Sequence, residues 1–445
     1  MQTILTLHDP KRALSFYREN FWRDETMYDL LQANAAKYGS RYAIRDARQR
    51  LTWTQLLAWV DSFAATLSEA GLVAGDRVAV WLPSRIEAVV SLLACSRNGY
   101  ICCPSLHQNH TVAEIAGLLE RVLCRAFVGM PRYGADADVK DIFERTKELA
   151  SIRAAFSVDG KGSATPFPAA SQKSNASSPD KNPDKIVYIA FTSGTTGQPK
   201  GVMHSDNTLL ANGRQMVRDW AVDQDTVLLS LSPISHHIAT VALEQVLVAG
   251  CELVLNDLPS GWKPLQWVEE TKATYVMGVP THAMDLLTAL SAENKVRLGA
   301  VKYFYMAGSP IPPETAERFV RLGVTPQNVY GMTENGSHQY TLPTDSIDVI
   351  TTTCGRACGG YEVRLFNPER PDEEVQPGEI GEIGSRGSQL MLGYFADQKA
   401  TEGSFNRAGW FLSGDLGQFF DGNLRIVGRK KDLIIRGGHN IAIAY

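Results

Sequence analysis

The chain has 445 residues, 44% hydrophobic and 21% charged, with a formal net charge of −4 at pH 7. That length exceeds one ordinary core and implies two or three lobes. The balance is that of a soluble globular protein, without the basic surplus that nucleic acid or an anionic membrane would call for.

The opening stretch, MQTILTLHDPKRALSFYREN, carries charges throughout and has neither the apolar core of a secretion signal nor a membrane-spanning run. Seven cysteines, an odd number in mostly apolar surroundings, read as reduced buried thiols, and the expected location is cytoplasmic. Cys354 and Cys358 lack a second ligand pair, which argues against a metal site there.

Apolar residues recur at helical spacing in TMYDLLQANAAKY (26–38) and TWTQLLAWVDSFAATLSEAG (52–71). DRVAVWLP (76–83) reads as a strand, IEAVVSLLACSRNG (86–99) as a helix that Gly99 can cap, and RAFVGM (125–130) as a further strand. Residues 159–185 are rich in Ser, Pro, Lys and Ala without periodicity and read as a surface linker closing a first lobe, 1–185. From 186 to 345, the strands IVYIAF, TVLLSLSP, CELVLND, ATYVMGVP and VKYFYMAG alternate with helical segments. Near-continuous apolar strands of this kind predict a parallel sheet covered on both faces. Ligands of such sheets sit at the carboxyl ends of the strands, so the polar segments following them should converge on one rim. Residues 346–431 change to short strands split by Gly, Asn-Pro and Asp-Gly turns, predicting a small antiparallel sheet or barrel.

The most informative stretch is TSGTTGQPKG (192–201), directly after an apolar strand. Glycines admit close approach of an anion, hydroxyls and N–H groups supply donors, and Lys200 adds a positive charge, so phosphate is the natural guest. The spacing is not that of a Walker A loop, and no G-x-G-x-x-G occurs. The loop instead resembles the phosphate loop of the adenylate-forming enzymes: acyl- and aryl-CoA synthetases, luciferases and peptide-synthetase adenylation domains. YGMTE (330–334), SGDLG (413–417) and GRKKDLIIRGGHNI (428–441) resemble three further hallmarks of that family, in the same order.

The resemblance implies two doubly wound α/β sheets plus a small antiparallel β-barrel. It also implies activation of a carboxylic acid by ATP to an acyl-adenylate and pyrophosphate, followed by transfer to CoA. Thr192, Ser193, Gly194, Thr195, Thr196, Gly197 and Lys200 would then wrap the β- and γ-phosphates, Thr333 would donate to the α-phosphate, and Glu334 would hold Mg²⁺. Tyr330 would lie near adenine with Gly331 and Met332 beside it, and Ala307, Gly308 and Ser309 would flank the nucleotide and the acyl group. Asp415 would accept from the ribose hydroxyls and Arg429 would add a cation on the ribose side. Asp432 matches the hinge, with Gly437 and Gly438 on the thiol tunnel, so that 432–445 would be the stub of a C-terminal domain. The family's C-terminal domain and its bridging lysine lie beyond Tyr445, and impaired adenylation is expected of this chain.

By the same resemblance, the acid is lined by His236, His237, Ile238, Val241, Gly278, Val279, His282, Ala307, Gly308, Gly331 and Met332. One of the two histidines would meet the carboxylate or gate the thiol, and the sequence leaves open which. No basic residue awaits a second carboxylate, and SPISHHIATVALEQ holds no acid before Glu244, so an apolar monocarboxylate is expected, not a dicarboxylate or an amino acid. The N-terminal region resembles aryl- and alicyclic-acid ligases, which favours a ring. The alternatives are a medium-chain fatty acid, delivery to a carrier-protein thiol, or a non-catalytic nucleotide-binding module. A monomer or homodimer is expected.

Overall fold

Strand residues alternate between two cores, as the period of two requires. In Arg77–Trp81, Val78 and Val80 face one core while Ala79 and Trp81 face another; in Tyr275–Gly278, Tyr275 and Met277 face that first core and Val276 a third. Two sheets thus share one central core, in a computed structural model that describes residues 4–160, 164–170, 178–192, 199–309, 311–436 and 439–442. Helices Met27–Tyr38, Trp53–Glu69, Ile86–Asn98, Asp206–Asp219 and His237–Ala249 fill the layer between the sheets. Val112–Arg121 and Ile142–Lys147 cover the outer face of one sheet; Pro264–Thr271, Pro280–Ala292 and Pro313–Arg321 cover the other.

The first sheet runs Thr165–Pro166, Ala154–Ser157, Ala126–Gly129, Arg77–Trp81, Ile101–Cys103, Ile186–Thr192, Lys200–Ser205, parallel except for its last strand. The second has nine strands, parallel from Thr325–Met332 through Tyr303–Met306, Tyr275–Gly278, Val227–Ser230 and Glu252–Val254 to Tyr42–Arg45, with antiparallel strands at both edges. The expected lobe boundary at 185/186 is therefore not a sheet boundary. Ile186–Thr192 completes the first sheet beside Ile101–Cys103, while the early strand Tyr42–Arg45 joins the second. The third unit is the expected small antiparallel sheet, a four-stranded ladder of Tyr361–Phe366, Gly381–Gly387, Phe411–Phe420 and Asn423–Arg429, in that order. All seven cysteines are free and buried, and among the described residues no helix is long and apolar enough to cross a membrane.

Helix ends follow local chemistry. Gly99 and Gly250 adopt φ of +71° and +70° and return their N–H groups to Cys95 and Val246, closing the helices that precede them. Thr52 caps Trp53–Glu69 by accepting from the Gln55 N–H while Gln55 reaches back to the Thr52 N–H.

One buried carboxylate ties the central layer together. Asp206, at the start of its helix and fully buried, accepts from the Met27 N–H at 2.9 Å, the Ser96 hydroxyl at 2.7 Å and the Lys185 ammonium at 2.8 Å. Asp206→Ala leaves that ammonium with only the Asn182 carbonyl, at 3.0 Å, and two further donors buried without a partner. It is expected to cost about 3–5 kcal/mol, read as a lower urea midpoint, with Asp206→Asn losing less. Equal stability of Asp206→Ala and the parent would show that the tie is dispensable.

Candidate functional site

The hairpin Ile186–Thr192/Lys200–Ser205 carries the phosphate-loop candidates. Thr192 pairs with Lys200 at its mouth; Ser193, Gly194, Thr195, Thr196 and Gly197 lie outside the described residues. The Lys200 ammonium sits 4.7 Å from the centre of the Tyr394 ring, and the Tyr394 hydroxyl donates to Glu334 Oε1 at 3.0 Å. Burial pushes the Glu334 carboxyl up, while its own backbone hydrogen bond, the Tyr394 hydroxyl and the Lys200 charge pull it down. A cation and a carboxylate thus share one aromatic ring. Tyr394 was not singled out in the sequence, because an aromatic in LMLGYF has no local signal beyond core packing.

Glu334 is placed by a tight turn. Met332 N–H donates to Asn335 Oδ1, and Asn335 N–H donates to Met332 O. Gly331 is needed there: a Cβ on it would stand 1.8 Å from the Gly336 carbonyl oxygen. Met332 packs with Val202, Met391 and Tyr394, on the hairpin side. The lone carboxylate of Glu334 fits a magnesium ion that takes its other ligands from phosphate and water. No group of three or more metal-ligating side chains converges among the described residues.

Further along the rim, the Tyr330 hydroxyl donates to Asp415 Oδ2 at 2.9 Å, and Arg429 Nε lies 3.3 Å from Asp415 Oδ1. Burial raises the Asp415 carboxyl, with Tyr330 and Arg429 acting against it. Each Asp415 oxygen retains a second lone pair for a hydroxyl. The Tyr330 ring is itself covered, its edge against His338 with centroids 5.4 Å apart. In this structure Tyr330 holds Asp415 rather than presenting an open face. Gly308, at φ +89°, places its hypothetical Cβ 3.6 Å from Val279 Cγ1, and Ala307 N–H bonds Gly278 O at 3.3 Å. These strand ends therefore abut, and Ser309 is exposed beside them. Asp432 lies in a short 3-10 turn, while Gly437 and Gly438 lie outside the described residues.

The two adjacent histidines point to different neighbours. His236, the exposed N-cap of its helix, stacks on His107 with centroids 4.4 Å apart; His107 Nδ1 is 2.9 Å from Ser235 Oγ. His237 is half-buried, its Nδ1 3.3 Å from the Tyr188 hydroxyl and its ring stacked on His204 at 5.6 Å and 14°. His204 itself was missed: four residues past Lys200 in KGVMHS it reads as an ordinary strand residue. Yet its Nε2–H donates to the Thr333 carbonyl at 2.7 Å, which fixes its tautomer and leaves Nδ1 to face the Thr208 hydroxyl at 3.0 Å. One imidazole joins the phosphate hairpin, the segment bearing Thr333 and Glu334, and the His237 side of the rim.

Burial lowers the pKa of His204 to about 4, and burial with the His204 charge lowers that of His237 to about 3. Both folded values lie below the unfolded one, so the unfolded chain binds protons first as pH falls. Stability should then drop from about pH 6.5 down to about 4, by about 1.4 kcal/mol per pH unit for His204. Thermal melts across that range are expected to steepen with acid and to flatten in His204→Gln. An unchanged slope would mean that His204 is not held neutral.

A family model described as AMP-binding enzyme matches residues 31–395. The medium-chain fatty-acid–CoA ligase of Escherichia coli (strain K12) is 29% identical, the match covering 99% of this chain and 79% of the relative. The salicyl-AMP ligase / salicyl-S-ArCP synthetase of Mycobacterium tuberculosis is 30% identical, with 97% and 78% covered. Among solved structures, apo MbtA of Mycobacterium smegmatis superposes with a TM-score of 0.85 at 26% identity, covering 98% of this chain and 82% of that one.

Proposed function

The chain belongs to the AMP-binding enzyme family, and on that premise we propose that it activates an apolar monocarboxylic acid, aryl or alicyclic, with ATP and transfers the acyl group to CoA. The observation that carries the reading is that Lys200, Tyr394 and Glu334 contact one another in series, and that His204 touches both the Thr333 carbonyl next to Glu334 and the His237 ring. Two anions must meet for the chemistry, and this arrangement offers a separate seat to each.

A carboxylate oxygen attacks the α-phosphorus of ATP. The bond from that phosphorus to the bridging oxygen breaks, and pyrophosphate leaves with the electron pair. Lys200 balances charge on the departing phosphates, the Thr333 hydroxyl donates to the α-phosphate, and Asp415, oriented by Tyr330 and Arg429, takes the ribose hydroxyls. Glu334 would hold magnesium, which neutralises phosphate charge when bound. In the second half-reaction a thiol attacks the acyl carbon, the thioester forms and AMP leaves. His236, stacked on His107 at the exposed helix start, would gate the thiol. Support for a ring acid comes from the salicylate-named relative and for a linear one from the fatty-acid ligase; delivery to a carrier-protein thiol is favoured only by the former's second name.

Thermal melts with Mg²⁺-ATP, and then with sulfamoyl-adenosine mimics of benzoic, cyclohexanecarboxylic and octanoic acid, separate these readings, because a ligand of the folded state raises the midpoint with the logarithm of its concentration over Kd. A shift with ATP and a larger one with a ring mimic is expected. A preference for the octanoyl mimic would move the substrate to linear acids, and no shift with any of them would overturn the assignment. Asp415→Ala should weaken ATP binding by about ten- to a hundredfold with the fold intact, the loss expected of hydrogen bonds to a charged acceptor.

A further inference from the structure

Helix His237–Ala249 carries more than the rim histidine into the acid side. Residues three, four and seven positions on from His237 share its face, and these are Thr240, Val241 and Glu244. Glu244 is only 1% exposed, and among the described residues neither of its carboxyl oxygens has a hydrogen-bond partner. Its surroundings confirm how deep it sits. Helix Asp206–Asp219 crosses directly over it at Gly213, where a Cβ would come within 2.8 Å of the Glu244 Cβ. The buried hydroxyls of Tyr188 and Tyr305 are among its neighbours. Both are committed elsewhere: Tyr188 is 3.3 Å from Thr240 Oγ1 and from His237 Nδ1, and Tyr305 is 2.8 Å from Ser337 Oγ. Buried carboxyl groups are normally satisfied, so an orphan at the end of the stripe that begins at His237 calls for a missing partner.

The distance suits a small ring. His237 and Glu244 are separated by a helical rise of about 10 Å, and because both side chains lean back toward the N-terminus by a similar amount, their head groups stay about 10 Å apart. That is the span of a six-membered ring acid with a hydrogen bond at each end.

We propose that Glu244 is the floor of the acid subsite and a specificity-determining residue, taking a hydroxyl or amino group that the acid carries at the end remote from its carboxylate. This rests on the acid-activating reading above and deepens it: the acid has an apolar body with one hydrogen-bond donor at its far end. Burial raises the Glu244 carboxyl well above the usual range, and a protonated carboxyl both donates and accepts, which matches a hydroxyl in both directions. An unsubstituted ring leaves the carboxyl orphaned, and a site built around a polar partner rejects the analogue that lacks it.

Calorimetric titration of benzoyl-, 3-hydroxybenzoyl- and 4-hydroxybenzoyl-sulfamoyladenosine into the parent chain, Glu244→Leu and Glu244→Gln tests this, with Mg²⁺-ATP as the control ligand. The parent is expected to bind one hydroxylated mimic at least tenfold tighter than the benzoyl mimic. Glu244→Leu should erase or invert that ratio while leaving the ATP Kd unchanged, and Glu244→Gln, the variant closest in shape, should reduce it at least threefold. Equal affinities in the parent, or a ratio that survives in both variants, would overturn the Glu244 assignment and leave the acid-activating reading standing. Failure of ATP and of every mimic to bind the parent would overturn both.

Discussion

The Asp206 carboxylate holds the frame on which the site is built. It gathers the start of helix Met27–Tyr38, the middle helix Ile86–Asn98 and the lysine that enters strand Ile186–Thr192. These elements come from distant parts of the chain. A charge buried so completely is stable only with every partner in place, so the tie also fixes their relative positions. His204 stands two residues before it and Lys200 six, so the anchor that stabilises the core also sets where the reactive hairpin ends.

From that anchor the site divides into two seats joined by an imidazole. The proposed nucleotide seat is a chain of contacts, Lys200 to Tyr394 to Glu334 and Arg429 to Asp415 to Tyr330, in which aromatic side chains place charged ones. The proposed acid seat descends along helix His237–Ala249, from the stacked histidines at its start to the orphan carboxyl of Glu244 two turns below. His204 is neutral in the fold, and a neutral ring with a fixed tautomer can hold the Thr333 carbonyl without adding charge between two anions. A lysine at that point would compete with Lys200 for phosphate.

Several features were legible in the residue pattern for definite reasons. Apolar runs separated by helical spacing dictate parallel sheets, and TSGTTGQPKG with YGMTE and SGDLG marks a nucleotide site, because each motif is a local arrangement of donors, charges and turn glycines. Gly331 is one such case, since only a residue without a Cβ fits against the Gly336 carbonyl. The lobe boundary was misplaced because a polar linker marks a surface excursion of the chain and not the edge of a sheet. Tyr394, His204 and Glu244 carry no local signal because their neighbours in sequence are apolar, and their partners lie 60 or 129 residues away or, for Glu244, are absent among the described residues.

Sequence alone thus settled the class of fold, the family resemblance and the nucleotide half of the chemistry, all of which depend on short-range patterns. Only the tertiary structure decided which histidine faces inward, what orients Asp415 and Glu334, and that an acidic side chain ends the stripe that begins at His237. Those features depend on which helices cross and which rings stack, and such long-range contacts leave no period in the chain that makes them.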